Sequence, residues 1–174
     1  NLIDFHQKQP FQLADVDIER LLFVYQHATF DDKDDQLLTT LKASSAEWNA
    51  HEVSGLYDFE IASLYRTQGQ TYQPKTNEAT RWKLKESMAL FDVIISRFPN
   101  SVAAEKSKAL KAQILFTTLN ITIENLIPTQ QNALALIEYT NFNELNFNIY
   151  KLSKSQLETF NNTHREDDQI KFIK

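Results

Sequence analysis

Histidines, carboxylates and hydroxyls are the side chains here that could do chemistry; the chain carries four histidines, 23 acids, no cysteine and two glycines in 174 residues. His6, His27, His51 and His164 never fall four residues apart, so no helix face presents the paired imidazoles of a zinc site. His51 and Glu52 lack the second histidine of a His-Glu-x-x-His motif, and surface or capping roles are the simpler reading of all four. The acidic run Asp31, Asp32, Asp34 and Asp35 has the ligand chemistry of a calcium loop without its spacing. No glycine stands at the sixth loop position, and Lys42 or Ala43 occupies the twelfth, where a bidentate glutamate is required. The run therefore reads as a solvated turn that starts a helix. Gly55 and Gly69 stand alone, which leaves no glycine-rich phosphate loop, and no Gly-x-Ser-x-Gly nucleophile motif occurs. Nothing in the pattern sets two acids across a cleft for glycoside chemistry. The expectation is a non-enzyme with no catalytic, cofactor-binding or metal-binding residues. The lack of cysteine removes disulfides and thiolate sites and leaves the redox compartment undecided.

Charge narrows the partners. The net charge is −5, the isoelectric point is near 5.4, and no block of lysines or arginines occurs, so nucleic acid and anionic membranes, which need a positive patch, are not expected partners. No apolar run approaches the ~18 residues that cross a bilayer. The chain opens on Asn1 without an initiator methionine or a signal-peptide pattern, which reads as a piece of a longer protein. Membrane attachment is then expected only through an anchor outside these residues. Trp48, Tyr57, Tyr65, Tyr72, Trp82 and Phe91 could line a concave peptide groove. Wedging neighbouring helices together is the favoured role for each, with Tyr72 the least constrained.

The elements that position these residues are mostly helices, because two glycines and four prolines are too few to turn an all-β chain of this length. The stretch 77–115 organises the rest: a helix, a Pro-Asn-Ser corner and a second, antiparallel helix. Leu84, Met88, Phe91, Ile95 and Phe98 form its apolar stripe, widened by Leu90 and Ile94. Asn77 is expected to cap its start, and Pro99 ends it. Ser101 or Asn100 caps the next helix, which places Ala103, Ser107, Leu110 and Ile114 on one stripe. Upstream, residues 1–12 read as a loose lead-in ending at a Pro10 break. A helix from Asp15 carries Ile18, Leu21, Leu22, Tyr25 and Ala28, with Asp15, Asp17 and Glu19 at its positive end. A second starts near Asp34 with Leu37 or Leu38, Leu41, Ser45 and Trp48 inward. A third, over 52–68, carries Val53, Leu56, Tyr57, Ile61, Leu64 and Tyr65, with Gly69 as a left-handed cap. The segment 70–76 is a loop.

After Phe116 the apolar period changes to two. Leu119, Ile121 and Ile123 predict a half-buried strand that Pro128 breaks, and 133–139 reads as an interior strand. A turn at 140–144 leads to a strand of Leu145, Phe147 and Ile149, making a hairpin with its predecessor. Ser153 and Gln156 fit a capping box for a short helix bearing Leu157 and Phe160, and Ile170 and Phe172 begin another alternation. The expected organisation is mainly α with a C-terminal β segment: about five helices in antiparallel hairpins over 1–116, then a small antiparallel sheet over 117–174 with an exposed edge through which the chain self-associates.

Phe91 to Pro99, with small Ser87 before it, resembles the closing half of a tetratricopeptide repeat, although Ile94 stands where that family prefers a small residue and an insert lengthens the hairpin. The chain as a whole is similar to the N-terminal region of the α2-macroglobulin-family proteins of Bacteroidetes. The residues that carry this are ERLLFVYQHATFDDKDDQLLTTL at 19–41, Arg81 and Trp82, RFPNSVAAEKSKALKAQIL at 97–115, and LNITIEN followed by ALIEYTNFNELNFNIYKLS within 119–153. The resemblance implies a helical region leading into a macroglobulin-type β-sandwich, in a secreted or periplasmic cell-envelope protease inhibitor. It implies that trapping is done by a downstream bait segment and Cys-Gln thioester, which cannot lie here because the chain has no cysteine. Partners would be the rest of its own chain, target proteases or envelope proteins. The alternative is a free-standing helical-repeat adaptor that binds peptides.

Overall fold

A computed structural model describes residues 2–124, 131–163, 168, 169 and 171. The chain is mainly helical with a small two-stranded antiparallel sheet, and it divides into two compact units, Asn1–Phe116 and Thr117–Lys174.

Six helices build the first unit: α1 (Leu2–His6), α2 (Pro10–His27), α3 (Lys33–Glu47), α4 (Ser54–Gln70), α5 (Lys83–Arg97) and α6 (Val102–Leu115). The expected lead-in over 1–12 is instead α1 and the first turn of α2. Pro10 opens α2 where a break was expected, because a proline in the first turn has no hydrogen bond to lose and its φ is already helical.

The core shows which helix organises the unit. One cluster joins Ala14, Ile18 and Leu21 of α2, Leu37 and Leu41 of α3, and Val53, Tyr57, Ile61 and Leu64 in and beside α4. A second joins Ala62 of α4 to Phe91, Ile94 and Ala103, with Leu110 and Ile114 against it. Because α4 is apolar on two faces it packs against α2, α3, α5 and α6, so α4 takes the central place that the sequence pattern gave to 77–115. The stripe α5 buries is Ser87, Phe91 and Ile94, rotated from the expected one. Small Ser87 lets α5 approach α4 closely, and its Oγ donates a 2.7 Å hydrogen bond to the Ala62 carbonyl.

Three local expectations change. Gly69 lies inside α4 with negative φ, so it is no left-handed cap. A Cβ there would stand 2.7 Å from the Leu84 backbone nitrogen; the residue is glycine because two backbones nearly touch. Asn77 does not cap α5, which begins six residues later at Lys83. It closes the preceding loop: its side-chain amide donates to Thr71 O at 2.9 Å, and its backbone pairs with Gln73 around Lys75, whose φ is 72°. The third change concerns the acids of α2. No acid lies in the first turn of this helix, so Asp15, Asp17 and Glu19 are too far along to act as dipole caps. Ser101, by contrast, caps α6, accepting from Ala104 N at 3.0 Å.

In the second unit β1 (Thr118–Ile123) pairs with β2 (Ala135–Thr140), Leu119 opposite Tyr139 and Ile121 opposite Ile137. Leu119, Ile121, Ile123, Ala135, Ile137 and Tyr139 share one face. The other carries the bond between the Thr118 and Thr140 hydroxyls and the donation from Asn120 to Glu138. The strand expected to be half-buried is exposed throughout, and in the one expected to be interior only Ile137 is partly covered. No strand forms over 145–150. The partner of β2 is β1, and Asn146 and Asn148 give the 145–150 region poor strand propensity despite its alternation. The unit also contains α7 (Lys154–Asn161), started by the Ser153–Gln156 capping box. Pro128, Ile170 and Phe172 lie outside the described residues.

Candidate functional site

Alternate helices of the first unit meet, α4 touching both α2 and α6. Their shared surface holds two adjoining hollows of about 220 and 290 Å3, which have Asp15, Leu56 and Lys106 in common. Each is smaller than the ~300–1,000 Å3 of a typical small-molecule site, so the scale suits side chains of a partner better than a cofactor. On α2 the lining residues are Phe11, Asp15, Ile18, Glu19 and Leu22, at helical steps along one face. Glu52, just ahead of α4, and Leu56, Phe59 and Glu60 repeat that spacing. From α6 and its cap come Ser101, Val102, Ala103 and Lys106. The groove is thus an apolar floor edged by four carboxylates and one ammonium.

Of the four, Asp15, Glu19 and Glu52 are exposed and only Glu60 is partly buried, and Glu60 differs from the other partly buried or buried acids of the unit. Asp17 accepts from Arg20 at 2.7 Å and from the Tyr57 hydroxyl at 3.2 Å. Asp34 accepts from Tyr25 and from Gln68, each at 2.8 Å. Asp58 takes the Ser45 hydroxyl at 2.6 Å and an ion pair with Arg97 at 3.6 Å. These three acids pin α2, α3, α4 and α5 to one another. Burial and the Asp17 charge push the Tyr57 hydroxyl far up, and burial with the Asp34 bond pushes Tyr25 up to about 12. Glu60 is also partly buried, yet among the described residues no hydrogen bond reaches its carboxylate. Loss of solvent raises its pKa, and the Lys106 charge opposes that rise. The Lys106 ammonium itself stands 5.6 Å from the centre of the Phe59 ring.

None of the six aromatic residues weighed for a groove lines this one. Tyr57 and Phe91 are fully in the core, Trp48 and Tyr65 pack at its margin, Tyr72 is partly covered in the loop, and Trp82 is exposed. Tyr65 lines a separate shallow depression with residues of α3, α4 and α5. His51 meets Trp48 edge-on and Phe11 at a tilt and accepts from Val53 N, His27 bonds the Phe23 carbonyl, and His6 bonds Gln9; His164 lies outside the described residues. Among the described residues no group of three His, Asp or Glu could hold a metal ion, and no helix is long and apolar enough to cross a membrane. Asp15 and Glu19 were hidden by their resemblance to capping acids. The signal that reveals them is the repeated face, acid and apolar residues sharing one helical stripe in both 11–22 and 52–60. No family model, no curated protein and no solved structure matches this chain.

Proposed function

We propose that this chain is a non-catalytic interaction region, a tetratricopeptide-like helical stack followed by the start of a macroglobulin-type β domain, in a bacterial α2-macroglobulin-like protease inhibitor of the periplasm or cell envelope. In this reading protease trapping belongs to domains beyond these residues, and the helical stack binds a protein segment. The observation that carries the interaction role is the groove built from alternate helices α2, α4 and α6, the arrangement by which stacked helical hairpins present a concave face. The inhibitor assignment rests on the sequence resemblance, to which the exposed apolar face of the β1–β2 hairpin is suited, since a sandwich would cover it with a second sheet. The second reading, a free-standing peptide-binding adaptor, is favoured by one feature: every residue of the groove lies within the first unit.

The test is the size and behaviour of the natural polypeptide. An antibody against this region should detect, in envelope fractions, a chain many times larger than 20.2 kDa that a protease cleaves at one exposed segment while losing access to large substrates. A polypeptide close to 20.2 kDa would sink the inhibitor reading and leave the adaptor.

A further inference from the structure

We infer that the groove between α2, α4 and α6 receives an extended peptide segment bearing lysine or arginine, whose cationic head docks against Glu60 beside Asp15 and Glu19 while its methylene stem lies on Leu22, Leu56 and Phe59. This rests on reading the groove as a peptide surface and adds the partner's chemistry. Three observations converge on it. First, the charges of the groove do not balance: Asp15, Glu19, Glu52 and Glu60 face a single ammonium, that of Lys106. An anionic occupant is repelled, and a cationic one is drawn in before contact.

Second, the partly buried acids elsewhere in the helical unit, Asp17, Asp34 and Asp58, each have two partners, whereas among the described residues no hydrogen bond reaches the Glu60 carboxylate. The Glu60 carboxylate is partly shielded but still reaches water, so a cationic donor that arrives replaces solvent there with a charge-assisted hydrogen bond. Third, the hollow combines that carboxylate with an apolar floor. A lysine or arginine matches both parts, laying its stem on hydrocarbon with its charge at the rim. The Lys106 ammonium over the Phe59 ring shows that this surface already accommodates a cation.

The experiment titrates the whole chain with a fluorescent, acetylated and amidated peptide of alternating lysine and leucine, read by anisotropy. Its counterpart carries homocitrulline, the neutral Nε-carbamoyl derivative of lysine, in place of lysine. The cationic probe should bind, and Glu60→Gln should weaken it about tenfold, the size expected for a lost hydrogen bond to a charged group. Lys106→Gln, which removes the competing cation, should tighten binding roughly two- to threefold at low ionic strength. Asp35→Asn, an exposed acid outside the groove, should leave binding unchanged and controls for net charge. Thermal melts of each variant verify folding, and Glu60→Gln removes only a charge. Equal binding of the lysine and homocitrulline probes, both sensitive to Leu56→Ala, would overturn the charge inference while the peptide groove stands. Equal losses in Asp35→Asn and Glu60→Gln would overturn it too, by reducing the effect to bulk charge. If neither probe binds, or probe binding only follows dispersal of a dimer seated on this face, the peptide groove falls with it.

Discussion

Replacing Gly69 by alanine tests the close approach of α4 to the start of α5. Inside a helix this change is ordinarily stabilising, by up to ~1 kcal/mol, and less in a last turn such as this. Here the new Cβ would lie 2.7 Å from the Leu84 nitrogen and 3.0 Å from its Cβ. A backbone nitrogen cannot rotate away, so α4 and α5 must part, loosening the Ser87 to Ala62 bond and the packing of Phe91. Overpacking of this kind costs ~1–3 kcal/mol, and after the propensity gain a net loss of about 1–2 kcal/mol is expected. Gly55→Ala is the built-in comparison. Its Cβ would stand 3.2 Å from the ring of Phe98 and 3.4 Å from the Ala103 Cβ, and a ring at the core margin can shift by a few tenths of an ångström. That variant should fall within about 0.5 kcal/mol of the parent.

Urea unfolding followed by helical circular dichroism measures both. A Gly69→Ala chain as stable as Gly55→Ala, or more stable than the parent, would refute the close crossing. Gly69→Asn separates the two readings of this glycine. A left-handed cap tolerates asparagine, whereas a backbone contact makes asparagine worse than alanine.

Four further outcomes follow. Ser101→Ala, which strips the α6 cap, should cost about 1 kcal/mol in the same denaturation assay, with Ser101→Thr keeping most of it. Because Tyr25 titrates near 12 in the folded chain against 10.0 unfolded, its contribution is complete below 10.0 and fades as the pH climbs through 12; Tyr25→Phe should remove that alkaline sensitivity in melts run across this range. Glu60 has a raised folded pKa, so its favourable share is full below the unfolded value near 4.5 and is lost at higher pH. Glu60→Gln should therefore be more stable than the parent at neutral pH, the gap closing as melts are taken to acid, and a constant gap would reject the desolvation. Sedimentation should show self-association dispersed by Ile121→Thr with Ile137→Thr on the apolar hairpin face, and a strict monomer at high micromolar concentration counts against this.

Legibility in the sequence follows how many meanings a signal has. Ser101 before Val102 and the Ser153 to Gln156 spacing mean helix starts under almost any packing, and both caps form. Buried Ile18, Leu21, Leu37, Leu41, Tyr57 and Ile61 were readable from helical spacing alone. Pro10, Gly69 and Asn77 each had two local meanings. Proline breaks a helix or begins one; glycine caps a helix or admits a neighbour; asparagine caps a helix or closes a loop. Tertiary contacts chose between them, and Leu84 beside Gly69 belongs to a different helix. Period-two alternation at 145–150 specified which residues a strand would group but not that a partner strand would arrive. The groove was illegible for a related reason, since its acids come from α2 and α4, and their convergence depends on a crossing that no one-dimensional spacing contains.

The same crossing ties the groove to the stability of the unit. Leu56 and Phe59 line the hollows and also pack against the cluster of Ala62, Phe91, Ile94 and Ala103. A change that reshapes the groove floor therefore loosens the seat of α6 on α4, while a ligand that fills the floor holds α2, α4 and α6 together and raises the unfolding free energy by mass action. Glu60 acts in the opposite sense, its recessed charge weakening the free protein where a cation would strengthen the bound one. On the proposed reading, an apolar floor that stabilises the stack and a carboxylate that destabilises it would make a surface whose cohesion rises with occupancy, and peptide binding at α2, α4 and α6 should then register as slowed amide exchange in α6, which packs against α4 and α5.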